Sequence, residues 1–189
     1  MNHNYMTTTF NSSGLRLNYV EWGKKKSRPI VLLHGIQDCA RSWDFFASTL
    51  SDNFHVIALD HRGHGDSEWA SPSQYRLADY IKDVGNLIGH LDLSDVLLIG
   101  HGSGGRNALK YTVTHPQIVT SLIMLDVDPN GSNPAYMNMI KQYQSESDEW
   151  DSLNDVIEHL RKRQPNSTDK MLEHQALQMT TPLSNSGRI

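Results

Sequence analysis

The chain has 189 residues, 38% of them hydrophobic, and a formal net charge of −4 at pH 7. This length holds one domain with a sizeable core, or most of a larger one. The composition excludes a wholly disordered chain, and the acidic balance argues against a nucleic-acid partner, because phosphate binding usually requires a basic surplus. No apolar run approaches the roughly 18 residues of a membrane helix. We therefore expect neither nucleic acid nor membrane as a partner.

Cysteine content and the amino-terminal residues indicate the compartment. Cys39 is the only cysteine, so no disulfide can form within the chain and nothing requires an oxidising compartment. The first eleven residues are polar and lack the apolar centre of a signal peptide. We expect a cytoplasmic protein in which Cys39, without a nearby partner, is inert.

The first predicted element is a strand over residues 15–21, where apolar and polar residues alternate as in an antiparallel edge strand. The basic stretch after it, 24–29, is interpreted as a solvated connection rather than an anion site, because short charged loops usually face water. Continuous apolar runs then predict strands that are buried on both faces, at 30–33, 56–59, 96–99 and 122–125.

Two helical patterns separate these apolar runs. Residues 77–91 carry an apolar stripe with the spacing of an amphipathic helix, and a shorter helical pattern covers 106–114. Buried strands that alternate with such helices predict an α/β fold with a mostly parallel sheet and right-handed crossovers.

The character of the sequence changes after Asp126. Three helical periods follow, beginning near Tyr136, Leu153 and Leu172, with polar or proline-bearing linkers between them. We expect a core over residues 1–131 and a helical segment over 132–189. Its methionines either fill a core or line a substrate pocket.

Three glycine-bearing motifs follow predicted strands: His34-Gly35-Ile36-Gln37, the stretch 60–67 and Gly100-His101-Gly102-Ser103-Gly104-Gly105. In the first motif, a glycine lets the backbone turn sharply and direct the next N–H into a cleft, as stabilisation of an oxyanion requires. The third motif stands between a predicted strand and a predicted helix.

In this order and spacing the three motifs resemble the α/β-hydrolase family, in its lid-bearing branch of small-molecule hydrolases. The resemblance is close from about Tyr19 to Asp126 and loose beyond. The family turn D-x-R-G-x-G-x-S is matched by Asp60, Arg62, Gly63, Gly65 and Ser67. The resemblance implies a mostly parallel sheet with flanking helices and a helical lid, and cofactor-free hydrolysis of esters or related small acyl compounds.

The resemblance also implies a nucleophile elbow of pattern G-x-S-x-G over Gly100–Gly104. Here the nucleophile position holds Gly102, and the serine, Ser103, stands one residue late. The implied oxyanion donors are the N–H groups of Ile36 and Ser103. The implied substrate-binding residues are His34, Gly35, Gln37 and His101.

A glycine at the nucleophile position leaves three hypotheses. The chain is a hydrolase-family member whose chemistry is impaired, because glycine adopts the strained elbow conformation but supplies no hydroxyl. Alternatively it is a binding module that retains a small ligand without turnover. A third hypothesis makes Ser103 the nucleophile, which requires the turn to reorganise around the bulky His101.

The rest of a catalytic triad is also incomplete. In the family the acid and the histidine follow the nucleophile. Asp126 is a weak acid candidate, whereas His115, His159 and His174 fall at a helix end or inside helical periods. We expect that the chain stops, at 184–189, before the last strands. The strand over 122–125 would then have a free edge, which predicts marginal stability or an oligomer.

Metal and nucleotide sites find little support. His61 and His64, with His34 nearby, lack a Cys, Asp or Glu framework with zinc-like spacing. The glycine run over 102–105 lacks the frames of phosphate-binding and dinucleotide-binding loops. We expect no metal and no cofactor, and a small molecule as substrate or ligand.

Overall fold

The computed structural model describes residues 5–129, 134–147 and 149–182. The chain divides into two compact units, Met1–Pro129 and Asn130–Ile189. Residues 184–189, on which the expectation of an early chain end depends, lie outside the described residues.

The first unit contains a six-stranded sheet with helices between its strands. Its strands are β1 (Tyr5–Ser12), β2 (Leu15–Trp22), β3 (Arg28–Leu33), β4 (Phe54–Leu59), β5 (Val96–His101) and β6 (Val119–Leu125). Its helices are α1 (Asp44–Leu50), α2 (Leu77–His90) and α3 (Gly102–Thr114), with 3₁₀ turns at Ala40–Trp43 and Pro72–Gln74.

The strand order is β1-β2-β4-β3-β5-β6. β3 pairs in parallel with β4 and β5, and β5 pairs in parallel with β6, whereas β1–β2 and β2–β4 are antiparallel. The four parallel strands contain the four continuous apolar runs, and the predicted mostly parallel α/β sheet is confirmed.

The prediction of an edge strand over 15–21 was wrong in its position. β2 lies between β1 and β4, and β1 forms the edge of the sheet. β1 was missed because it has no clear apolar pattern: three of its eight residues are threonine, and Phe10 is its one buried apolar residue. Phe10 pairs with Leu17 across the two strands, and this pairing places it in the core.

Alternating residues of the parallel strands enter two separate cores. Val31 and Ile57 face the side that is covered by α2 and α3, together with Leu87. Ile30 and Val56 face the other side, which is covered by α1. Because both faces are buried, these strands have continuous apolar runs instead of alternation.

β6 ends the sheet and pairs only with β5 among the described strands. Apolar side chains on this strand are exposed, at Ile123, Met124 and Leu125. β6 contains no charged residue, which is one of the usual protections of an edge strand against pairing with another chain.

The described part of the second unit contains three helices, α4 (Pro134–Gln144), α5 (Leu153–Arg163) and α6 (Asp169–Met179). The side chains of Ser152 and Thr168 cap the amino ends of α5 and α6 by accepting from backbone N–H groups. Buried residues of α5 and α6 share one small core, made of Val156, Leu160, Leu172 and Ala176. No helix among the described residues has the length and apolarity needed to span a lipid bilayer.

Candidate active site

The turn between β5 and α3 has the backbone of a strained junction. β5 ends at His101, α3 begins at Gly102, and Gly102 has φ +52°, in the left-handed region. Among the described residues, a Cβ atom added to Gly102 would have the Cα atom of Gly35 as its one neighbour within 4 Å, at 3.8 Å. Gly102 therefore permits the conformation of the turn, and no described residue would clash with a Cβ atom there.

The flanking glycines are required for a different reason. A Cβ atom at Gly100 would lie 2.5 Å from the carbonyl oxygen of Gly104. One at Gly104 would overlap the carbonyl oxygens of Leu33 and His34. Strand and helix thus approach so closely that only glycine fits on either side of Gly102.

The loop after β3 meets this turn at the carboxyl end of the sheet. Leu33 pairs with Gly100 in the parallel register, so the residues that follow each strand are neighbours. A Cβ atom at Gly35 would lie 2.9 Å from Nδ1 of His101. The structure therefore brings Gly35, His101 and Gly102 close together. Ile36 and Gln37 continue the loop, both half-buried, and Gln37 has φ +55°.

The side chain of His34 is enclosed by the protein and makes structural contacts. Its side chain is fully buried, Nε2 accepts from the peptide N–H of His61 at 3.0 Å, and Nδ1 lies 2.7 Å from the carbonyl oxygen of Gly35. These partners assign the proton to Nδ1. Burial, followed by the charge of His64, lowers the pKa of His34 to about 4. His34 thus connects the loop after β3 to the turn after β4, and its ring is not available to a ligand in this structure.

Asp60 holds both the loop after β3 and the turn after β4, a role that the sequence motif did not reveal. Its Oδ1 accepts from the peptide N–H of Ala40 at 2.6 Å, and its Oδ2 accepts from Nδ2 of Asn18 at 2.7 Å and from the N–H of Asp66 at 3.1 Å. A side chain at Gly65 would overlap this carboxylate. Gly65 therefore makes room for a buried carboxylate that fixes the neighbouring loop.

Arg62, in the turn after β4, forms a buried ion pair with Asp83 on α2. Its Nε donates to Oδ2 of Asp83 at 2.7 Å, and its Nη2 donates to Oδ1 at 2.8 Å. Ser12 on β1 donates to the same carboxylate at 2.5 Å. This bidentate pair ties the turn to α2 and to the edge strand.

The candidate acid and histidines are distributed as follows. Asp126 directly follows β6, is exposed and has φ +50°. Since Leu125 pairs with His101, Asp126 lies at the same end of the sheet as Gly102. His115 stacks on Tyr111 at the carboxyl end of α3, the end away from Gly102. His159 pairs with Glu146 at 3.5 Å within the second unit, which also contains His174.

Neither the histidine cluster nor Cys39 shows the features of a reactive site. The rings of His34 and His61 lie 4.6 Å apart, and burial lowers the pKa of His61 well below its usual value. No group of three potential metal ligands occurs among the described residues. Burial, followed by the charges of Asp60 and Asp38, raises the pKa of the Cys39 thiol to about 12.

Comparison with known proteins places this geometry in a family. The family model for the alpha/beta hydrolase fold matches residues 28–186. The chain is 34% identical over 115 residues to epoxide hydrolase 3 of Xenopus tropicalis, which covers 60% of this chain and 31% of that protein. It is 31% identical over 144 residues to 2-(acetamidomethylene)succinate hydrolase of Mesorhizobium japonicum, which covers 76% of this chain and 51% of that protein.

Solved structures agree with the sequence comparison. The crystal structure of an E-2-(acetamidomethylene)succinate hydrolase superposes with a TM-score of 0.86 at 26% identity, over 95% of this chain and 66% of that one. The chain thus spans about a third to a half of the two curated relatives and about two thirds of this structure. The protein belongs to the alpha/beta hydrolase fold family.

Proposed function

We propose that the chain carries the nucleophile elbow and the oxyanion loop of a cofactor-free hydrolase of esters or related small acyl compounds, and that Gly102 impairs its chemical step. In such enzymes a protein nucleophile attacks the carbonyl carbon while N–H groups stabilise the oxyanion. Gly102 has no side chain, so this position supplies no nucleophile.

One observation carries the proposal: Gly102 combines a left-handed backbone with an open Cβ direction toward Gly35. An elbow requires this strained turn so that its side chain can stand clear of both strand and helix. A glycine that served only close packing would have no such space, as Gly100 and Gly104 illustrate.

Ser103 is proposed as an oxyanion donor through its N–H, together with the N–H of Ile36, and not as the nucleophile. It stands in the first turn of α3, where N–H groups have no partner within the helix. It is not among the described residues with a positive φ, so its backbone lacks the elbow conformation. Gly35, Gln37 and His101 would border the bound substrate.

Family membership alone does not select the substrate. The two relatives are named for an epoxide and for an acetamidomethylene succinate, which contain different scissile bonds. One fold supports many reactions, and the residues of the site decide between them. Asp126 is proposed as the acid partner, because it lies beside the elbow in the strand register.

The proposal is tested by placing a thiol at each of the two positions. Gly102→Cys should react with p-nitrophenyl acetate to form a thioester, at least about tenfold faster than Ser103→Cys, since only the first projects into the site. A thiol needs less assistance than a hydroxyl, because part of it is ionised at neutral pH. The native Cys39 is buried and adds no background. Equal rates for the two variants would overturn the assignment of the elbow.

The unaltered chain separates the three hypotheses. We expect no adduct with a fluorophosphonate, because position 102 has no hydroxyl. An adduct on Ser103 would make that serine the nucleophile instead. The absence of a side chain at Gly102 also favours a second function, retention of a small ligand without turnover; such a ligand would raise the melting temperature without being consumed.

A further inference from the structure

A cavity lies at the opposite end of the sheet from Gly102. It has a volume of about 630 Å³ and is lined by the loop before β3, the start of β4 and the connection from α2 to β5. All of these residues belong to the first unit. β3 has 6 residues, so the two ends of the sheet are roughly 20 Å apart. The cavity is therefore separate from the proposed active site.

The basic run of the sequence forms one wall of this cavity. Lys25, Lys26 and Arg28 all line it, with Ser27 between them. Arg28 is held in place, because its guanidinium donates to Oγ1 of Thr120 at 3.0 Å and to the carbonyl oxygen of Asp95 at 3.5 Å. A run that the sequence indicated as a solvated turn thus presents three cationic residues to one opening.

A buried histidine lines the same cavity and has one nitrogen without a partner. His55 is 3% exposed, and its Nε2 lies 2.9 Å from Oε2 of the buried Glu21. A carboxylate only accepts, so Nε2 carries a proton. Nδ1 is buried and has no hydrogen-bond partner among the described residues. Buried polar atoms are almost always paired, so a water molecule or a ligand is needed to satisfy this nitrogen.

Acidic groups on the rest of the cavity wall limit the negative charge that a ligand can carry. Asp92 and Asp95 also line the cavity, and α2 ends there at His90 with the negative end of its dipole. These groups oppose a highly charged anion. They favour a small molecule in which one oxyanion group is attached to a neutral or cationic remainder.

We propose that this cavity binds a small molecule through one oxyanion group, a phosphate or a carboxylate, held by Lys26, Arg28 and His55. Arg28 and Lys26 supply charged N–H donors to the oxygens. His55 lines the same cavity. With its proton on Nε2, its Nδ1 can accept, so the hydroxyl of a phosphate monoanion or a carboxylic acid that reached this nitrogen would satisfy it.

Nuclear magnetic resonance of the histidine side chains tests this proposal on the unaltered chain. With ¹⁵N-labelled histidine, titration with inorganic phosphate should shift the His55 ring signals saturably, with a smaller effect on His90. His34 and His61, at the other end of the sheet, should not move. A parallel titration with acetate decides between the two oxyanions, because the preferred one saturates at the lower concentration. Absence of a saturable shift at His55 with both ions would overturn the proposal.

Two lysines of the same loop supply a matched pair of variants. Lys26→Ala removes a cation that lines the cavity and should weaken binding about fivefold, as an exposed ion pair predicts. Lys24→Ala changes the net charge equally but lies outside the lining residues, and should leave binding unchanged. His55→Gln keeps a donor for Glu21 while it removes Nδ1, and should weaken binding about tenfold. Equal losses for Lys24→Ala and Lys26→Ala would indicate unspecific attraction and contradict a built site.

Discussion

The Cβ position of Gly102 points at the Cα atom of Gly35 across a gap of 3.8 Å. These two glycines follow neighbouring parallel strands, and neither strand alone forms a site. Their proximity places the turn after β5 beside the loop after β3, at ordinary van der Waals distance.

Substitutions by alanine should distinguish the roles of three glycines. Gly102→Ala should cost about 1 kcal/mol, because only the left-handed backbone opposes it. Gly104→Ala should cost at least about 3 kcal/mol, since its Cβ overlaps the backbone of β3 and the loop that follows. Gly89→Ala is the control: it lies in α2 with free space around it and should stabilise by about 0.5 kcal/mol. Urea denaturation measures all three, and a Gly104→Ala variant as stable as Gly102→Ala would contradict the steric argument.

The ion pair between Arg62 and Asp83 should be costly to break. Both side chains are buried, so Asp83→Asn leaves an uncompensated guanidinium and should reduce the free energy of unfolding by about 3–5 kcal/mol. Replacing both residues with apolar ones should restore part of this loss. Arg16→Met removes an exposed pair with Glu68 and should cost less than about 1 kcal/mol. If Asp83→Asn and Arg16→Met reduced the free energy of unfolding equally, burial would not explain the strength of the Arg62–Asp83 ion pair.

The stability of the first unit should fall as the solution becomes acidic. The pKa of His34 is about 4 in the folded chain and about 6.5 when unfolded, so the unfolded state binds the extra proton first. This contribution is fully present above about pH 6.5 and is lost as the pH falls toward about 4. The Cε1–H signals of His34 and His61 should therefore stay constant between about pH 8 and about pH 5. In His34→Gln, the loss of unfolding free energy over that interval should be smaller; an equal loss would assign the effect to other groups.

Cys39 should be unreactive until the chain unfolds. With a buried thiol whose pKa is raised to about 12, almost no thiolate exists at about pH 8. We expect no reaction with Ellman's reagent in the native state and one equivalent in concentrated urea. Rapid stoichiometric labelling of the native chain would instead indicate that the loop around Ala40 opens readily.

Most strands and helices could be predicted from the sequence, because continuous apolar runs and helical apolar stripes depend only on neighbouring residues. The sequence predicted the buried strands, the helical segment after residue 131 and the glycine turn at Gly102, but not α1. It missed β1, whose threonine-rich outer face hides a strand that depends on pairing with β2. It also predicted that the run over 24–29 is a solvated connection, and residues 24–26 and 28 are exposed; a charge pattern carries no information about which cavity lies beside it.

Which of these residues meet depends on how the chain folds. Parallel strands bring their carboxyl ends together, so Gly35 and Gly102 become neighbours although 66 residues of chain lie between them. The same packing buries Asp60 beside the N–H of Ala40 and the side chain of Asn18, and fixes His34 on a peptide N–H. Such contacts join distant positions, and their strength depends on the low-dielectric interior, which a linear pattern does not record.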